Sequence, residues 1–263
     1  MKTTAELFSA YKKVEGVYVL SEPDSRFEEN YIALRLKENW ISDIDTLHSL
    51  PDVSKQNVNY KFWMMRKDTA KRFEKYLSQK NTPTKILDLG CGNGWFTNML
   101  AQHTQAEIVC GVDINITELK QAATTFSSKK THWLYADIFQ AELPENYFDV
   151  ITLNASFQYF FNAEVTIQRL LALLKSDGEI HILDTPFYSM PEIAKAKERS
   201  ANYFTEQKSE EMSNFYYHHS LEELKKINYQ IFYAPSKNWN RIKSFLGKYS
   251  SPFTWVIISK AKN

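Results

Sequence analysis

Only seven glycines and two cysteines occur in 263 residues. Cys91 and Cys110 both fall in segments that read as core, so they are expected to be reduced thiols and not a disulfide framework. The six histidines show no ligand spacing, and no metal is expected. No run approaches the ~18 apolar residues of a membrane span, so no membrane partner is expected. The start, Met1-Lys2-Thr3-Thr4-Ala5-Glu6, lacks the apolar stretch of an export signal, which makes a cytoplasmic location the expectation. Neither sign of charge dominates: 32 Lys/Arg face 31 Asp/Glu, a balance that selects no partner. Local charge is less even, since residues 225–263 hold eight Lys/Arg and no acid. Four of the seven glycines lie between Gly90 and Gly111, where the backbone evidently needs what a Cβ blocks.

What is present is a 43% hydrophobic chain of a length that suits one α/β domain with an extension. From 85 to 184, short β-branched runs alternate with amphipathic helices, the pattern of a doubly wound, mostly parallel sheet. Strands are predicted at 86–89, 107–112, 131–136, 148–153 and 178–184, with helices at 95–102, 115–126 and 162–175. Asn115 followed by Glu118 reads as a capping box. Ile167, Leu170, Leu171 and Leu174 form one apolar stripe. A helix is predicted near 221–227, then strands at 229–233 and 253–259. Residues 1–82 form a helical N-terminal extension with a helix at 60–77, ahead of a main domain at 83–263. Residues 185–220 read as a lid-like insertion with a helix at 193–204.

The segment Ile86-Leu87-Asp88-Leu89-Gly90-Cys91-Gly92-Asn93-Gly94-Trp95 carries the functional argument. A strand ends in a glycine turn that opens a helix, so a ligand can approach bare backbone. Dinucleotide sites prefer G-x-G-x-x-G, and Trp95 occupies the third glycine position, which excludes NAD. Asp88 suits a ligand with an ammonium group better than a pyrophosphate. Asp113, at the end of the second strand, can accept from both ribose hydroxyls. Asp137 and Ile138, after the third strand, suit an adenine, with an acceptor for its amine and apolar packing for its faces.

This ordered set resembles the class I S-adenosylmethionine-dependent methyltransferases, of the small-molecule type. The resemblance implies a Rossmann-like, seven-stranded sheet of order 3-2-1-4-5-7-6 and S-adenosylmethionine (SAM) as cofactor. It implies that Asp88, Gly90, Cys91, Gly92 and Gly94 line the methionine end, and that Asp113 takes the ribose with Ile114 against the adenine. Asp137 and Ile138 would hold the adenine edge, and Asn154-Ala155 would lie beside the methionine portion. In the 60–77 helix, Phe62, Met65, Phe73 and Leu77 are expected to dock, leaving Trp63 and Arg66 toward ligand, with Arg66 for the methionine carboxylate.

The acceptor is expected to be a small molecule with an O or N nucleophile. Asp184, Tyr188 and His219 are the candidate catalytic residues, with Tyr159 a further candidate base. Small-molecule members often carry histidine where this chain has Gln158 and Tyr159. Asp184-Thr185-Pro186-Phe187-Tyr188 is similar to the loop of amino-methyltransferases, but it lacks the second proline and follows the fifth strand instead of the fourth. Basic side chains interleaved with Tyr229, Trp239 and Trp255 raise a tRNA or rRNA methyltransferase as an alternative, although core packing of those aromatics argues against a nucleic-acid partner. A non-catalytic partner protein of the same fold is a further alternative.

Overall fold

The computed structural model describes residues 8–80, 82, 84–103, 105–236 and 249–260. The parallel centre of the sheet consists of β3 (Thr84–Leu89), β4 (Ala106–Asp113), β5 (Thr131–Tyr135), β6 (Phe148–Asn154) and β7 (Leu174–Leu183). β3 is buried along its whole length, as a central strand covered on both faces must be. An antiparallel pair, β8 (Tyr229–Tyr233) and β9 (Trp255–Ser259), closes one side through β7. The order β5-β4-β3-β6-β7-β9-β8 is the expected 3-2-1-4-5-7-6.

Two strands were not foreseen. β1 (Lys12–Val14) and β2 (Val17–Val19) form a hairpin that pairs in parallel with β5, making a nine-stranded sheet. Its turn, Glu15-Gly16, has positive φ at both residues, the geometry that matches strand twist. Three-residue strands carry too few side chains for a readable alternation. The helical part of the extension comprises α1 (Ser25–Lys37), α2 (Ile44–Ser49) and α3 (Tyr60–Leu77).

Helices α4 (Trp95–Gln102) and α5 (Ile116–Thr125) follow β3 and β4, and α6 (Ala163–Leu173) runs directly into β7. One core face gathers Leu87, Leu89, Ile151 and Leu153 with Ile167 and Leu170 of α6. The other gathers Ile86, Val109 and Val150 with Phe96 and Leu100 of α4 and Phe73 of α3. The buried stripe of α3 is Trp63, Ala70, Phe73 and Leu77. Phe62 is a correction: it is 57% exposed, because the helix is turned so that Trp63 enters the core in its place.

The insertion carries α7 (Met190–Glu206), opened by the Ser189/Glu192 capping box. Lys37 at the end of α1 donates to the carbonyls of Gln207 (2.7 Å) and Lys208 (2.8 Å), just past α7. A cation there suits the negative end of the helix. Leu34, Phe204 and Met212 form a small core between the two segments. The helix expected at 221–227 is a single 3-10 turn, Leu221–Leu224.

Candidate active site

The end of β3 turns sharply at Gly90, whose φ is +72°. A Cβ there would lie 2.4 Å from the Ser156 Cβ, so no larger residue fits. Ser156 in turn donates to the Leu89 carbonyl at 2.6 Å, tying the loop after β6 to the turn. Asp113, at the end of β4, accepts from the Gly92 N–H at 2.7 Å and the Asn115 N–H at 2.9 Å. Burial pushes its carboxyl up to about 6, against the pull of these backbone bonds.

Over the carboxyl ends of these strands lies a cavity of about 320 Å³. Gly90, Gly92, Asp113, Ile114, Asp137, Ile138 and Ala155 all line it, although they come from four separate strand ends. A recess of about 70 Å³ adjoins it and shares Tyr31, Gly90, Gly92 and Ala155. Cys91, Asn154 and Arg66 line this recess, together with Arg35, Trp40, Trp63 and Glu118. The Arg66 guanidinium rests over the rings of Trp40 (4.7 Å) and Trp63 (5.2 Å). Among the described residues no carboxylate lies within ion-pair distance of Arg66. The Asn154 Oδ1 is buried without a partner.

Five expected site residues are elsewhere. Asp88 is buried on the α4 face of β3, where its oxygens accept from Thr97 (2.6 Å) and Thr152 (2.7 Å). It braces the turn from behind and lines neither cavity. Gly94 starts α4 at φ +78°, and a Cβ there would meet Trp133 at 2.5 Å, so its smallness serves packing. Asp184, Tyr188 and His219 do not converge on the cavity. Asp184 accepts from Thr69 (2.8 Å) and Ser251 (2.5 Å), and burial pushes its carboxyl up. His219 is buried against Phe157, with ring centroids 4.6 Å apart, and its Nδ1 faces Glu223. The Tyr188 N–H donates to the His219 carbonyl, and its ring faces His218. These residues knit the insertion to the loop after β7.

Sequence reasoning missed most of the cavity's outer wall: Phe27 and Tyr31 from α1, Phe160 and Phe161 beyond β6, and Phe215 from the insertion, while Tyr217, within the 216–219 cluster expected over the acceptor, does line it. Phe27, Tyr31 and Leu34 at i, i+4 and i+7 were the available signal. Tyr159, named only as a further candidate, does line the cavity. In the basic C-terminal stretch Trp255 is core, while Trp239 lies outside the described residues. Among the described residues no cluster of metal-ligating side chains occurs, and no helix is long and apolar enough to cross a membrane.

Glu118 was read only as a capping residue. The cap is made by Asn115, whose side chain accepts from the Glu118 N–H, while the Glu118 carboxylate takes the Asn115 Nδ2 at 2.9 Å. Burial first, and then Asp113, push the Glu118 carboxyl up to about 8 from 4.5. A carboxyl raised on folding contributes stability that is complete below its unfolded value and is lost as pH rises through the folded one. The window is therefore 4.5 to about 8. Glu118→Gln is expected to melt close to the native protein at about pH 5 and increasingly above it towards about pH 8.5. A melting difference that does not change across that range would show that Glu118 is hydrated.

Residues 86–178 match the sequence profile of a family described as a methyltransferase domain. An uncharacterised methyltransferase of Mycobacterium bovis is 34% identical over 98 residues, 37% of this chain and 49% of the relative. A malonyl-[acyl-carrier protein] O-methyltransferase of Acetivibrio thermocellus is 34% identical over 35% of this chain and 32% of its own length. The aligned part thus spans half or less of these curated relatives. Among solved structures, the plantazolicin methyltransferase BpumL in complex with SAH superposes with a TM-score of 0.54 at 19% identity. That match covers 90% of this chain and 98% of BpumL. A Haemonchus contortus phosphoethanolamine N-methyltransferase 2 gives 0.55 at 15% identity, over 88% of this chain and 59% of the other. Sheet order, glycine turn and family profile together mark residues 86–178 as a methyltransferase domain on the fold of the class I methyltransferases.

Proposed function

We propose that this protein transfers the SAM methyl group to a small-molecule acceptor. The observation that carries this reading is the convergence of Gly90, Gly92, Asp113, Ile114, Asp137 and Ile138 on one cavity, with a polar recess beside it. The residues fit the cofactor. Gly90 and Gly92 offer backbone free of side chains to the ligand, Asp113 offers carboxylate oxygens to a ribose, and Ile114 and Ile138 offer apolar surface to an adenine. In the recess, the unpaired Arg66 suits a carboxylate, and the unpartnered Asn154 Oδ1 suits an ammonium. When bound, SAM supplies a methyl carbon already attached to a good leaving group. The protein's own task is then alignment and exclusion of water, and positioning of that kind can supply roughly 7–11 kcal/mol.

Residues 1–82 and 185–220 serve as the cover. α1 and the insertion each contribute aromatic side chains to the cavity wall, and Lys37 pins one segment to the other. The test is calorimetric titration with SAH, followed by SAM turnover against a metabolite pool and against total RNA. Expected are SAH binding, slower protease cleavage within 185–220 when SAH is bound, and methylation confined to the metabolite pool. Absence of SAH binding, or methylation of RNA alone, would overturn the reading.

A further inference from the structure

Resting on that reading, we propose that the acceptor is an uncharged planar ring bearing a hydroxyl, held in the aromatic end of the cavity with its oxygen on Tyr159. The wall there is built from Phe27, Tyr31, Tyr159 and Phe215. Phe27 meets Tyr159 and Phe215 edge-on at 5.7 and 5.5 Å, and Tyr31 meets Tyr159 edge-on at 5.7 Å. A surface of ring faces and edges favours a flat apolar body.

Charge narrows the class. The charged residues that line the cavity are Glu22, Asp24, Asp113 and Asp137, and among the described residues no Lys, Arg or His joins them. A carboxylate acceptor would lose its hydration there with no lining cation to receive it, since Arg26 is engaged by Asp24 and Arg35 by Glu38 and Tyr159.

Tyr159 narrows it further. Its hydroxyl accepts from Arg35 Nη2 at 2.6 Å, and Arg35 is held in turn by Glu38 at 2.6 Å and by the Tyr31 ring at 4.8 Å. No described residue accepts the Tyr159 proton, so that O–H is directed to a lone pair on the ligand. An ammonium has none to offer. A ring nitrogen has one, which the hydrogen bond would occupy. A hydroxyl oxygen has two: one accepts from Tyr159, and the other is free to attack. In the transfer this second pair forms the C–O bond, the C–S bond breaks with its pair left on sulfur, and the hydroxyl proton passes to water at the cavity mouth.

The test is calorimetric titration of the SAH-loaded full chain with 4-ethylphenol, 4-ethylbenzoate and 4-ethylbenzylammonium. 4-Ethylphenol is expected to bind at least about tenfold more tightly than either charged probe. Tyr159→Phe is expected to reduce that preference by about five- to tenfold, the scale of one lost hydrogen bond, and to leave SAH affinity unchanged. Phe215→Ala is expected to weaken 4-ethylphenol about tenfold by removing part of the wall. Tighter binding of the benzoate or the ammonium, or an unaltered preference in Tyr159→Phe, overturns the acceptor class while the cofactor reading stands. Loss of SAH binding by the native protein would instead overturn the reading on which it rests.

Discussion

Phe73→Ala is expected to lower the unfolding free energy by about 3–5 kcal/mol, the range for truncating a fully buried phenylalanine. Phe73 is fully buried and packs its ring against Phe96 (5.8 Å), His181 (5.1 Å) and Trp255 (5.6 Å). These partners belong to α4, β7 and β9, so one side chain of the N-terminal extension closes a face of the sheet. Truncation leaves a cavity that rigid strands cannot collapse into. Phe62→Ala on the same helix is expected to change stability by no more than about 0.5 kcal/mol, because an exposed ring buries little. Urea unfolding followed by circular dichroism measures both. Comparable losses in the two variants would mean that α3 is rotated from the orientation described above. The comparison also bears on function, because α3 carries Arg66 into the recess.

Asp113→Ala is expected to weaken SAH binding by about 1.5–3 kcal/mol, the cost of losing hydrogen bonds to a charged acceptor. The carboxylate has two tasks. It holds the Gly92 and Asn115 amides, and it faces the cavity. Asp113→Asn separates them, since an amide oxygen can keep one backbone bond but offers two lone-pair sites in place of a carboxylate's four or so. Its affinity should fall between native and alanine. Calorimetry with SAH provides the measurement, and native affinity in Asp113→Ala would remove this residue from the ribose site.

The sheet centre was legible because its signals are local. β-Branched runs, the Asn115 cap and the stripe of α6 each occupy one stretch of chain, and the observed order of these strands agrees with the expected one. The same locality misled the reading of Asp88. A carboxylate beside a glycine turn reads as ligand-facing, yet period-2 alternation sends it to the face it shares with Ile86, under Thr97 of α4. Asp184, Tyr188 and His219 were grouped because 185–220 stood outside the sheet pattern. Their actual partners, Thr69, Ser251 and Glu223, are structural, and two of them lie far away in sequence.

The sequence by itself determined the fold class and the strand ends that line the cavity, since backbone periodicity and the turn at Gly90 arise from neighbours a few residues apart. Only the tertiary structure decided what forms the cavity's aromatic wall. Tyr31 and Arg35 meet Tyr159 across more than a hundred residues, Phe27 meets Phe215 across still more, and Asn154 is left unpartnered beside Arg66. No local pattern encodes such meetings. They are set where α1 and the insertion pack together, because Leu34 of α1 is buried against Phe204 and Met212 of the insertion.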